Sequence, residues 1–190
     1  YALRDVTGTV ESIPLISASI MSKKIAEGID ALVLDVKVGS GAFMKTLPDA
    51  RTLAQTMIAI GSQMGKKVSA LLTDMDQPLG RTVGNALEVI EAVQMLRGQA
   101  PADYTEVTLA LTAEMLVLGG KAKDEAEARK LLRAAIANGS AEKKLHQLVA
   151  AQGGDPSAIA DLTKLPKARA TVPVAAAASG FVTAIDSEGI

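Results

Sequence analysis

The sequence contains no cysteine and no tryptophan, and it has only two tyrosines, two phenylalanines and one histidine. Without cysteine the chain forms no disulfide bond and uses no thiolate as a nucleophile or metal ligand. The absence of cysteine fits a reducing compartment, and we expect a cytoplasmic protein. Because aromatic residues make up only 2% of the chain, alanine, leucine and valine must build the core, which favours helices packed closely on a sheet.

Excess charge and long apolar runs are also missing. The 20 basic and 21 acidic residues give a formal net charge of −1 at pH 7. This balance provides no reason to expect a nucleic acid or an anionic membrane as a partner. No segment approaches the roughly 20 consecutive apolar residues of a membrane-spanning helix, so we expect a soluble protein. A chain of 190 residues can bury one sizeable core or two small ones.

Hydrophobic periodicity predicts a strand–helix–strand unit. Residues 31–38 form a mostly apolar run typical of a buried parallel strand, and a glycine-containing loop follows at 39–41. Residues 48–64 have helical spacing, and residues 67–73 predict a second strand. This order predicts a right-handed crossover and a parallel sheet, and therefore an α/β fold.

The remaining chain is predicted to be mostly helical. Each predicted helix is followed by glycine, a common C-terminal signal, and Ser12 and Ser140 are expected to cap the first and last of them. A shift to proline and alanine near residues 164–176 predicts a domain boundary, and residues 180–185 predict a strand. The helices are predicted over residues 12–27, 83–97, 105–118, 124–137 and 140–152.

A cluster of hydrogen-bond donors is predicted near the start of the chain. Ser19 and Lys23 lie four residues apart on the first predicted helix and share a face, with Arg4 close by in the sequence. Such donors suit a planar ligand whose carbonyl oxygens gain negative charge during reaction. The residues alone also permit a plainer interpretation, with Lys23 and Lys24 complementing the helix dipole and Arg4 forming a surface ion pair.

Several long motifs, in order, resemble the pyrimidine nucleoside phosphorylase and thymidine phosphorylase family. The resemblance implies phosphorolysis of thymidine or uridine to the free base and a sugar 1-phosphate, with phosphate as co-substrate and no organic cofactor. The motifs are Tyr1-Ala-Leu-Arg-Asp-Val-Thr, Ser12-Ile-Pro-Leu-Ile-Ser-Ala-Ser-Ile-Met-Ser-Lys-Lys24, Leu34-Asp-Val-Lys-Val-Gly-Ser-Gly-Ala-Phe-Met44, Asp76-Gln-Pro-Leu-Gly-Arg-Thr-Val-Gly-Asn-Ala-Leu-Glu-Val89 and Gly180-Phe-Val-Thr-Ala-Ile-Asp186.

The family fold places a small helical domain against a larger α/β domain, with the active site between them. By this resemblance, residues 1–27 belong to the small domain, 28–165 to part of the large domain and 166–190 to the start of a strand-rich C-terminal region. The family also implies a homodimer formed through the small domain. Because the sequence begins at Tyr1 rather than at a methionine, we expect an internal piece of a longer protein.

The resemblance assigns base binding to Arg4, Ser19 and Lys23. Phosphorolysis expels the base as an anion whose charge spreads onto O2 and O4, and fixed donors there stabilise the transition state more than the ground state. Tyr1 stands beside this set, either packed near the base or as a core residue. Lys37 lies at the carboxyl end of the first predicted strand and matches no ligand contact of the family. We therefore expect it to support the residues that bind the ligand rather than to touch the ligand itself.

The resemblance also implies a monovalent cation, potassium, which some bacterial members of the family bind. Its ligands here are the main-chain carbonyls of Leu79 and Thr82 and the carboxylate of Glu91, with further ligands upstream of Tyr1. Without the resemblance, Asp74, Asp76 and Glu91 permit a hard metal site or simply a loop of solvated carboxylates.

The catalytic part of the family motif set is missing from these 190 residues. The family's Lys-His-Ser stretch, which carries the catalytic histidine, is expected upstream. His146 matches no family site and is predicted to lie on a solvated face of the helix at 140–152. A second solvated face is predicted on the helix at 124–137, formed by Glu125, Glu127, Arg129 and Lys130. Residues 39–43 are predicted to be a tight turn rather than a phosphate cradle. Two rival functions remain open: a phosphoribosyltransferase of the anthranilate type and a non-catalytic helical interaction domain.

Overall fold

A computed structural model describes residues 2–190, so Tyr1 lies outside the described residues. Two strands, Ala31–Val38 (β1) and Lys67–Asp74 (β2), pair in parallel in the register Ala31 with Lys67 to Val38 with Asp74. The helices are Ala2–Val6 (α1), Ile13–Ala26 (α2), Leu47–Gln63 (α3), Asn85–Leu96 (α4), Ala102–Leu118 (α5), Glu125–Ala137 (α6), Ser140–Ala151 (α7) and Ser157–Ala160 (α8), followed by the 3₁₀ turn Leu162–Lys164.

The main core lies between the sheet and the helices α2 and α3. Strand side chains alternate between two faces, and the even-numbered ones of both strands, including Leu34 and Val36, face this core. Gly61 of α3 approaches β2 so closely that a Cβ there would lie 2.2 Å from Cγ2 of Val68. The fully or nearly buried members of the core are Met21, Leu34, Val36, Met44, Ala50, Leu53, Ala54 and Met57.

The later helices form a second, smaller layer. Helix α5 contacts both strands and packs against α6, where Ala113 and Ala128 are completely buried. Small side chains at this contact allow the two helices to approach closely. Arg97 at the end of α4 pairs with Glu142 of α7 at 2.6 Å and donates to the carbonyl oxygen of Ile159 at 3.1 Å, which ties α4, α7 and α8 together.

The predicted strand–helix–strand unit and parallel sheet are confirmed, and the ends of the predicted longer helices are close to those observed. The capping prediction at Ser140 is wrong, because Gly139 occupies the N-cap position with φ of 73° and Ser140 is the first helical residue. Ser12 does occupy the N-cap position of α2, but its side chain makes no capping hydrogen bond. The short helices α1 and α8 have too few residues to produce a periodic signal.

The strand predicted over residues 180–185 is wrong. Residues 171–190 contain no strand in the described chain, and Phe181 is 97% exposed. A strand requires a neighbour to satisfy its backbone groups, and the only strands within residues 2–190, β1 and β2, pair with each other. The apolar residues of this segment therefore stay in solvent-exposed, extended or irregular backbone.

Helix α2 shares one core with β1 and α3 in this structure. The division between a small helical domain at residues 1–27 and a large domain from residue 28 stays a prediction. None of the helices in residues 2–190 is both long and apolar enough to cross a membrane.

Candidate functional site

Helix α2 presents one apolar face to the core and the opposite face outward. Pro14 fits the first turn, where no intrahelical N–H bond is lost, and the chain leaves the helix at Gly28 with φ of 75°. Ile16, Ile20 and Met21 pack into the core. The side of α2 that carries Leu15, Ala18, Ser19 and Ser22, spaced at i, i+3, i+4 and i+7, is therefore left to line a cleft.

This cleft, which we call the base cleft, has a volume of about 620 Å³ and lies between α2 and residues 3–9. The structure brings Arg4 and Ser19 together as lining residues of the same cleft. Lys23 is exposed one turn beyond Ser19, about 40° further around the helix axis, and is not among the lining residues. Two of the three predicted base contacts thus share a cavity, and the third is on the same side of the same helix. The lining residues are Leu3, Arg4, Thr7, Thr9, Leu15, Ala18, Ser19 and Ser22.

The Arg4 guanidinium is held by the loop between α1 and α2. Its Nε and Nη2 donate to the carbonyl oxygen of Thr9 at 3.3 and 3.1 Å, and Nη2 also donates to the carbonyl oxygen of Val10. Thr7 braces the same loop by donating to the carbonyl oxygen of Leu3 at 2.8 Å. These bonds fix the plane and direction of a cationic fork at the base cleft before any ligand arrives.

Lys24 serves a different purpose from Lys23. Its Nζ pairs with Glu27 at 3.0 Å across one helical turn. The pair lies at the C-terminal end of α2, where a lysine also complements the helix dipole. The plain interpretation of this lysine pair therefore fits Lys24, and the assignment of Lys23 to the base stays a prediction.

A buried carboxylate organises the second predicted site. Glu91 on α4 is only 4% exposed. Its Oε1 accepts the Arg81 N–H at 2.9 Å, while Oε2 accepts the Thr82 N–H at 3.2 Å and the Thr82 hydroxyl at 2.6 Å. Gly80 passes so near that a Cβ there would lie 2.7 Å from Oε2, and its φ of 76° also requires glycine.

Leu79, Thr82 and Glu91 line one cavity of about 320 Å³, which we call the cation cavity. The structure thus places all three predicted cation ligands around one space. None of the salt bridges formed within residues 2–190 involves Glu91, so its partners are neutral donors only. Burial, and then the negative charges of Glu91 and Glu88, raise the pKa of Tyr104, which lines the same cavity.

The oxygen atoms of the residues that line this cavity suit an alkali cation better than a transition metal. These residues offer a carboxylate, main-chain carbonyls and hydroxyls, which are the oxygen ligands that hard monovalent cations prefer. Among the described residues, no group of three or more histidine, aspartate or glutamate side chains is arranged for a metal. Asp76 instead accepts the Ser40 N–H at 2.7 Å, and Asp74 accepts the Asp76 N–H at 2.9 Å, so both carboxylates hold loops.

Lys37 forms mutual polar contacts with Asp35 and Thr73 at the carboxyl end of the sheet. Its Nζ lies 2.8 Å from Asp35 and 3.0 Å from Oγ1 of Thr73, which in turn donates to Asp35 at 2.5 Å. The loop that follows β1 is tight, because a Cβ on Gly39 would lie 2.7 Å from the Asp76 nitrogen. Both observations fit structural roles for this region.

The remaining sequence candidates lie on helix surfaces. His146 lies 3.7 Å from Glu142 on α7, away from both clefts. The prediction of a solvated face at residues 125–130 is wrong for Arg129, which is only 19% exposed and pairs with Glu125 on its own helix and Glu106 on α5, each at 2.7 Å. Sequence spacing reveals the first partner but not the second, which lies 23 residues away.

The chain matches the glycosyl transferase family, a/b domain, over residues 1–142. The chain belongs to this family. Curated relatives include the pyrimidine-nucleoside phosphorylases of three Staphylococcus aureus strains, USA300, NCTC 8325 / PS 47 and COL. Each is 54% identical over 190 residues, which is 100% of this chain and 44% of the relative. The chain thus spans less than half the length of these relatives, and the resemblance found in the motifs is confirmed.

Three polar residues that line the cation cavity of this glycosyl transferase chain were not identified from its sequence. They are Glu88, Tyr104 and Ser187. Glu88 lies one turn from Glu91, a spacing that does predict a shared helix face. Tyr104 and Ser187 come from distant parts of the chain, and no local pattern reveals them.

Proposed function

We propose that the full-length gene product is a pyrimidine-nucleoside phosphorylase and that this chain carries its base-binding part. The observation that carries the proposal is the shared base cleft of Arg4 and Ser19, with Lys23 one turn along the same helix. The 54% identity to proteins named pyrimidine-nucleoside phosphorylase supports the same conclusion. The substrates would be thymidine or uridine and inorganic phosphate, and we propose a cytoplasmic homodimer.

The reaction explains why cationic donors are needed at this cleft. An oxygen of phosphate forms a bond to C1′ of the sugar while the C1′–N1 bond breaks, and the bonding electron pair leaves with the base. The resulting negative charge spreads onto O2 and O4 of the pyrimidine. Arg4, Ser19 and Lys23 would donate hydrogen bonds to these oxygens and stabilise the developing charge.

The orientation of Arg4 matters for this role. Because Thr9 and Val10 already hold the guanidinium, little reorganisation is needed when charge develops on the base. Donors fixed in advance stabilise a transition state more effectively than donors that must reorient. Phosphate binding is assigned to residues outside this chain, so the chain alone supplies only the leaving-group side of the reaction.

We also propose that Leu79, Thr82 and Glu91 hold a potassium ion. The buried Glu91 carboxylate has no cationic partner within residues 2–190, which supports a need for an external positive charge. The ion would supply charge neutralisation and fix the loop at residues 79–82. Neither the base contacts nor this ion requires an organic cofactor.

Phosphate-dependent release of free base from thymidine and uridine tests the proposal. The full-length gene product should release base only when phosphate is present, and Ser19→Ala should reduce the rate, whereas Ser22→Ala should do so less. The isolated 190-residue chain should show no turnover. A base released only from a 5′-phosphorylated nucleotide, and only with pyrophosphate, would favour the phosphoribosyltransferase. No release from either kind of substrate would favour the non-catalytic domain.

A further inference from the structure

Ser187 carries a buried hydroxyl that has no hydrogen-bond partner within residues 2–190. Its Oγ is shielded from solvent and forms no hydrogen bond within the described residues. Burying a hydroxyl without a partner is unfavourable, so such an atom in a well-packed place calls for an explanation. The neighbouring backbone is ordered into a turn, in which the Gly189 N–H donates to the Asp186 carbonyl oxygen at 3.2 Å.

The turn at residues 186–189 is attached to the loop that follows β1. Glu188 pairs with Lys45 at 2.8 Å, and the same lysine donates to the Ser40 carbonyl oxygen at 2.7 Å. Ser187 itself packs on Gly41, where an added Cβ would lie 2.8 Å from the Ser187 Cβ. These contacts determine where the Ser187 side chain lies.

Ser187 lies at the cation cavity. It lines this space together with Leu79, Thr82 and Glu91. Among the described residues, the cavity therefore contains a buried carboxylate without a cationic partner and a hydroxyl without a hydrogen-bond partner. A cation bound there would satisfy both, because the hydroxyl oxygen can direct a lone pair to it.

We propose that the Ser187 hydroxyl is an oxygen ligand of the cation held by Glu91, so that the turn at residues 186–189 closes the cation cavity. This inference rests on the cation site proposed above. The bound ion would then connect three parts of the chain: the loop at residues 79–82, helix α4 and the C-terminal turn. Cation binding would accordingly order the turn as well as the loop.

Thermal unfolding of the full-length gene product tests the inference. Melting is compared in potassium chloride and in tetramethylammonium chloride at equal ionic strength, with potassium titrated between the two. Wild type should melt higher in potassium, and Glu91→Gln should lose this difference. Ser187→Ala should raise the half-saturating potassium concentration about tenfold, the effect typical of removing a supporting ligand interaction. Ser179→Ala, at an exposed serine in the same segment, is the control and should change nothing.

The outcomes separate the two proposals. Suppose that Ser187→Ala titrates with potassium like wild type, while Glu91→Gln no longer responds to potassium. That result would overturn the role of Ser187 and would leave the cation site supported. A fall in melting temperature that is equal in both salts would assign Ser187 to packing and would also overturn the inference. No potassium response in wild type would overturn the cation site, and the role of Ser187 with it.

Discussion

The Arg4 guanidinium donates two hydrogen bonds to the carbonyl oxygen of Thr9, at 3.3 and 3.1 Å. This contact turns a flexible side chain into a fixed cationic group at the base cleft. It uses the forked geometry of guanidinium, which an ammonium group cannot reproduce.

Arg4→Lys in the full-length gene product should lower kcat and kcat/KM together, by about 10²-fold. Lysine keeps the positive charge but loses the fork that Thr9 orients, so the charge is no longer fixed at the leaving base. Steady-state kinetics of thymidine phosphorolysis provide the measurement. Equal kinetics for Arg4→Lys and wild type would show that charge alone, and not orientation, matters at this position.

Gly80→Ala should destabilise the protein by about 1–3 kcal/mol. The residue has φ of 76°, and its new Cβ would lie 2.7 Å from Oε2 of the buried Glu91. Gly65→Ala is the matched control, since Gly65 has φ of 69° but nothing within 4 Å of its Cβ position. Chemical denaturation should show a smaller loss for Gly65→Ala. Equal losses would mean that backbone strain alone explains both variants and that contact with Glu91 adds nothing.

The ion pair between Arg97 and Glu142 should make stability depend on pH. The hydrogen bond from Arg97 lowers the pKa of Glu142 below its ordinary value near 4.5. A lowered folded-state pKa contributes stability that is present above the unfolded-state pKa and is lost as the pH falls through the folded-state pKa. Glu142→Gln should therefore cost about 1 kcal/mol at pH 7 and progressively less below about pH 4.

Denaturation midpoints at pH 7 and pH 3 provide the comparison for this ion pair. Glu11→Gln, at an exposed glutamate before α2, serves as the control and should show little effect at either pH. If Glu142→Gln lowers stability equally at both pH values, then the charge of Glu142 does not contribute to the contact between α4 and α7. Hydrogen bonding by Glu142 would then explain the whole effect.

The elements that follow local rules could be predicted from the sequence. The apolar run of β1, the glycine after α2 and the spacing within α3 depend on nearby residues, and the structure agrees closely with each of them. The strand predicted at residues 180–185 depends instead on a neighbouring strand. Periodicity within one segment cannot show whether that neighbour is present, and within the described chain it is not.

The candidate sites divide in the same way. Ser19 and Lys23 could be placed on one side of a helix because their spacing determines it. Other features of the sites depend on how loops fold against each other. They are the hydrogen bonds from Arg4 to the Thr9 carbonyl oxygen and the position of Ser187 beside Glu91 in the cation cavity. No sequence pattern reports those contacts, since they join segments that are irregular or far apart along the chain.

The central claim is that one side of α2 stabilises a departing pyrimidine anion, and Lys23→Ala in the full-length gene product tests it most directly. The control is Lys24→Ala, one residue along, about 100° around the helix and paired with Glu27 at 3.0 Å. The measurement is kcat and kcat/KM for phosphate-dependent thymine release. We predict a loss of about 10²–10³-fold in both for Lys23→Ala, an unchanged KM for phosphate, and a near-neutral Lys24→Ala. A small loss of kcat and kcat/KM in Lys23→Ala would contradict the claim, whether or not Lys24→Ala loses most of its activity.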